Sequence, residues 1–168
     1  MDTKNDKIRE NIMLCLLAVS PVLIGYLYNV LMFIPVIGSI WMYAAPFTLL
    51  LFWGWVGTVF YARFKSVWKA VLLGNLAGLI CFLMFIGVFT AISSADAPSR
   101  LLYMLSGLAQ MYTLPLSFIT AWIAVIKDGV YDMIEVTMPT MLLMQVAGLL
   151  LMIAAFTAGC VIARRKKE

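Results

Sequence analysis

The sequence predicts an all-α, polytopic membrane bundle of four full spans plus a broken or re-entrant helical element, with six tilted short spans as the alternative arrangement. Three observations predict it. Hydrophobic residues make up 64% of the 168 positions and charged residues only 12%, with histidine absent, which argues against a water-soluble globule. The apolar positions gather into five runs, each near or above the roughly twenty residues needed to cross a hydrocarbon core. Ten of the twelve Lys and Arg residues lie in three short segments beside those runs, the distribution expected of cytoplasmic flanks facing anionic lipid. The same clustering accounts for the net charge of +4 without nucleic acid, because no basic surface is large enough to track a phosphate backbone. A chain this short has room for one membrane domain, 1–168, and none for a separate soluble catalytic domain.

Met1 to Glu10 is polar and balanced in charge, and is expected to be a frayed cytoplasmic start. The run from about 12 to 33 is too long for a signal-peptide core and lacks a small-x-small cleavage site, so it is taken as a retained first span, kinked at Ser20-Pro21. Pro35 and Gly38 in IPVIGS then supply a tight uncharged turn. The second span covers about 40–61, with Trp41 and Tyr43 at one end and Tyr61 and Trp68 at the other, where aromatic rings prefer the headgroup layer. ARFKSVWK, Ala62 to Lys69, puts three cations in eight residues and is the strongest internal cytoplasmic marker. A third span covers about 70–92 and carries Asn75 between Gly74 and Gly78. SSADAPSR, 93–100, is a polar loop whose Asp96 and Pro98 end the helix. The acidic stretch 128–138 mixes Asp128, Asp132 and Glu135 with Val130, Met133, Ile134 and Val136, the pattern of a short piece lying along the membrane surface. The last span, about 141–163, stops at Arg164, Arg165, Lys166 and Lys167.

Between the third and last spans lies LLYMLSGLAQMYTLPLSFITAWIAVI, 101–126, without one charged side chain. Leu114-Pro115 interrupts it near its middle, because proline removes a backbone donor and biases its predecessor away from helix. Charge balance also speaks against counting it as one crossing. Five spans would divide the cations at best seven against five, whereas an even number of crossings puts ten on one side and leaves only Arg100 and Lys127 on the other. Two complete crossings need more than the roughly thirteen residues on each side of the break. An element that enters and returns is therefore expected, with both chain ends cytoplasmic in a cell membrane. A single crossing with a proline kink is the competing arrangement.

No Asp, Glu, Lys, Arg or His falls inside a predicted span, which disfavours a proton-coupled carrier, a voltage sensor or a charge-paired pump. Catalytic signatures such as GxSxG, HExxH or a P-loop are absent, and the chain is not expected to be an enzyme or to hold a metal or other cofactor. Asp128 and Asp132, four residues apart, are the one conceivable acid pair, against the plainer reading of a solvated acidic loop. Cys15, Cys81 and Cys160 are odd in number and singly spaced, as small buried hydrophobes would be. Met141 and Met144 read as adaptable packing, not as a copper site.

The polar groups left at membrane depth are amides, hydroxyls and aromatics. Backbone that breaks helix there must be shielded by protein or line a wet cavity, and such breaks recur where solutes bind. Gln110, Tyr112, Thr113, Pro115 and Trp122 are the candidate lining of a neutral cavity, with Asn75, Gln145 and Asn29 as further candidate binding residues. For Asn75 and Gln145 the plain alternative is hydrogen bonding between helices, about 0.6 kcal/mol per bond. In size, even crossing number and neutral cavity residues the chain is similar to the small membrane-embedded solute-binding subunits of energy-coupling-factor importers, which capture vitamins and work with separate ATPases and a scaffold protein. The alanine-spaced scaffold contact of their first helix is absent from LLAVSPVLIGY. The expected function is a transport-related subunit that binds or translocates a small neutral or polar solute without its own ATPase. The alternative is a non-catalytic accessory, assembly or immunity-type subunit of a larger membrane complex. Expected partners are the lipid bilayer, a larger membrane protein and a small-molecule solute, but not nucleic acid.

Overall fold

The computed structural model describes residues 2–94, 99–129 and 137–166. These form seven α-helices, α1 (Asp2–Met32), α2 (Pro35–Phe64), α3 (Val67–Gly74), α4 (Leu76–Ser94), α5 (Arg100–Gln110), α6 (Ser117–Asp128) and α7 (Met138–Arg165), with one 3-10 turn at Leu114–Leu116. No strand occurs among the described residues. Helices α1, α2, α4 and α7 are each long and apolar enough to cross a membrane. The pair α5 and α6 is bent by 69° at its break.

Several helix ends depart from expectation for a local reason. α1 does not fray at its polar start but is helical from Asp2, and Glu10 pairs there with Arg63 near the end of α2 at 3.0 Å. A partly exposed pair contributes less than about 1 kcal/mol, so it marks which helix ends lie together more than it holds them. Pro21 sits inside α1 and withholds a donor from the Leu17 carbonyl; the Ser20 hydroxyl donates to that carbonyl instead, at 2.6 Å. The turn expected over IPVIGS shrinks to Phe33 and Ile34, because Pro35 takes the first helical position, where its missing N–H costs nothing. Lys65, in the left-handed region at φ 52°, ends α2 with its N–H on the Tyr61 carbonyl. The expected third span is two helices: at Asn75 the side-chain amide donates to its own Val71 carbonyl at 2.9 Å and interrupts α3 from α4. The surface segment expected over 128–138 and the loop around Asp96 fall largely outside the described residues, Asp132 and Glu135 included.

The core lies where α2 and α7 cross. A Cβ on Gly159 would run into the Gly54 carbonyl, and one on Gly57 into that of Phe156, so these helices touch backbone to backbone. Cys160 donates its thiol to the Gly57 carbonyl at 3.2 Å across the same seam. Phe156 then fills the space beside the crossing, its ring 5.4 Å from that of Trp53 and 5.5 Å from that of Phe60. The Ala155 to Gly159 spacing thus serves internal packing. Only 17–33% of each span's most apolar window is buried within the protein, and Leu16, Leu23, Phe47, Leu51, Leu83 and Leu150 face outward. Apolar surface of that extent on all four long helices fits a membrane bundle surrounded by hydrocarbon.

Candidate functional site

The interruption between α5 and α6 sits in the middle of the bundle. Its backbone is closed on itself: the N–H groups of Met111, Thr113 and Leu116 donate to the carbonyls three residues earlier, at 3.2, 3.1 and 2.8 Å. Proline at the 3-10 turn forbids the ordinary helical ladder, and these tighter bonds replace part of it. Two glycines make room for it. Gly25 of α1 lies so close to the Met111 carbonyl that a Cβ would overlap it, and Gly78 of α4 lies under the Tyr112 ring.

Asn75 is the hub on the α3–α4 side. It is 1% exposed, and its Oδ1 accepts both from Trp53 Nε1 at 3.1 Å and from the Tyr112 hydroxyl at 3.3 Å. The rings of Trp53 and Tyr112 meet edge to face with centroids 6.0 Å apart. On the α7 side the Thr113 hydroxyl bonds the Gln145 side-chain oxygen, and Gly148 accepts the Thr113 methyl face, with a virtual Cβ 3.0 Å from Thr113 Cβ. Three hydrogen-bonded side chains on one side and two on the other therefore pin the break to α2, α4 and α7 at once. Pro115 and Leu116 are buried beneath it.

Of the candidate binding residues, the structure brings together Asn75, Tyr112, Thr113, Pro115 and Gln145. Gln110 is adjacent but turned along its own helix, its amide donating to the Ser106 carbonyl and hydroxyl at 3.3 and 3.2 Å. Trp122, 59% exposed, and Asn29, also exposed, stand on the outer surface away from the break. Trp53 was legible only as one of several indoles in the second span; nothing local in the sequence marks it as the partner of Asn75.

The gap left beside the break is about 10 Å³, lined by Gly78, Cys81, Tyr112, Thr113, Gln145 and Leu149. That is room for about one water molecule, with three polar side chains to hold it. In the described conformation this gap is far smaller than a solute cavity: Tyr112 and Thr113 are engaged by Asn75 and Gln145, Gln110 bonds Ser106 and Trp122 faces outward. The arrangement joins helices, through Asn75 on one side and Gln145 on the other. Compared with protein families, characterised proteins and solved structures, the chain matches none of them.

Proposed function

We propose that this chain is a non-catalytic accessory subunit of a larger membrane complex, a compact multi-pass element that packs beside a partner and does not itself pass solute. The observation that carries the reading is the self-satisfied break: its five polar side chains bond one another and leave about 10 Å³. Cross-linking in native membranes followed by mild-detergent purification is expected to return one fixed membrane partner. Recovery of the chain as a stable lone monomer at every cross-linker concentration would overturn it.

The broken element enters and returns on the same side in this reading. Supporting it, Arg63 and Glu10 lie together at one end, while α6 follows the first turns of α7: Ala124 packs on Met144, and Lys127 Nζ donates to Thr140 at 2.8 Å. The ring of Phe118 meets that of Tyr43, in the first third of α2, edge to face with centroids 4.8 Å apart. α6 thus leads from the buried break to the end of the bundle where α7 begins, and only five residues separate the end of α4 from the start of α5. The termini and ARFKSVWK then share the cytoplasmic face.

A transport-related subunit is the second reading, favoured by the convergence of Tyr112, Thr113 and Gln145 on the one gap at the break. It requires α5 to swing off α4. Spin labels at outward-facing Leu83 and Met104 would report that motion. A single distance unchanged across a panel of neutral and zwitterionic solutes would sink this reading.

A further inference from the structure

Away from the break, a groove of about 510 Å³ runs between the first half of α1, the last turns of α2 and the α3–α4 junction. Leu14, Ala18, Phe60, Phe64, Ala77 and Ile80 wall it, and Asn11 stands at its lower end. The volume is that of a ligand site, but the walls are hydrocarbon, so a hydrated solute would lose its water there without replacement. A chain of methylenes would lose nothing.

This groove is also flanked by charge at one end. Lys7 precedes Asn11 by one helical turn and shares its face; Lys69 precedes the lining residue Leu73 by the same spacing; Lys65 directly follows Phe64. α1, the cap of α2 and α3 therefore each carry an exposed lysine beside or one turn before a residue that lines the slot. Among the described side chains, Glu10 is paired with Arg63, and Asp6 is a residue away from Lys7 and so rotated about 100° from its face. Trp68, 86% exposed beside Lys69, is an indole of the kind that seeks the headgroup layer. A second copy of this chain would bring three more lysines against these, and a neutral lipid would leave them unanswered.

We propose that the groove holds an acyl chain of an anionic glycerophospholipid whose phosphate is bound by Lys7, Lys65 and Lys69. The site stands independently of the accessory-subunit reading. The test is native mass spectrometry of the full chain released from micelles containing equal phosphatidylglycerol and phosphatidylcholine. Wild type is expected to retain one phosphatidylglycerol in preference. Each lysine is expected to contribute about fivefold at low salt, so K65Q/K69Q should weaken retention by roughly twenty-five-fold while leaving phosphatidylcholine unaffected. Cys15→Trp, at an exposed position on the groove wall, should displace the lipid by filling its seat. The proposal is overturned if phosphatidylglycerol shows no preference, if both variants retain it like wild type, or if wild type is a lipid-free dimer that Cys15→Trp splits.

Discussion

Asn75 concentrates more of the interior's polarity than any other residue described. Its Oδ1 serves two donors and its Nδ2 a third bond, so Asn75→Leu strands Trp53 Nε1 and the Tyr112 hydroxyl together in an apolar interior. A stranded buried donor costs about 1–3 kcal/mol in water-soluble proteins, whereas bonds between membrane helices average about 0.6 kcal/mol because the separated helices also find partners. Asn75→Leu is therefore expected to destabilise by about 1–3 kcal/mol in reversible denaturation from micelles, and Tyr112→Phe, which removes one bond of 3.3 Å, by about 0.6 kcal/mol. Equal effects of the two changes would contradict the shared-acceptor geometry. Asn29→Ala and Trp122→Ala, both on the outer surface, should change stability by less than about 0.5 kcal/mol. Which amides would pair was not legible in the sequence. A span that is apolar all round has no polar face to fix its rotation, so Asn29 and Asn75 read alike until neighbouring helices are placed.

The elements themselves were largely legible, because their signals are local. Hydrophobic length marked the four long helices, with ends one to ten residues from those observed, and Leu114-Pro115 located the break. The misses were local too, and each has a visible cause: Pro35 begins a helix where a turn was expected, and Asn75 bonds its own backbone and divides the third span. Glycine spacing is where the sequence was weakest, since it does not say which glycines meet a neighbour. Gly107 has nothing within 4 Å of a built Cβ, while at Gly159 that atom would overlap the Gly54 carbonyl. Gly107→Ala should accordingly be neutral or stabilise α5 by up to about 1 kcal/mol, and Gly159→Ala should destabilise by about 1–3 kcal/mol as α2 and α7 are forced apart. Thermal unfolding in one detergent, with both variants side by side, separates the two cases.

For the molecule as a whole, the proposed topology rests on two separate supports, the distribution of cations and the contacts of α6. Membrane-impermeant thiol labelling of single cysteines at Ser99, Lys127 and Lys166, in a chain whose native cysteines are replaced by serine, should react from outside at the first two and from inside at the third. Labelling of Lys166 from outside would make the broken element a true crossing. The close seat of Gly25 against Met111 also bears on how the protein is made. Met111 follows Gly25 by 86 positions, which at ordinary translation speeds is a delay of roughly 4–17 seconds. During that interval the notch in the first inserted helix has only lipid, or a biogenesis chaperone, to cover it. Ribosome-stalled chains shorter than the break should leave residue 25 open to a lipid-soluble label, and chains released beyond it should not.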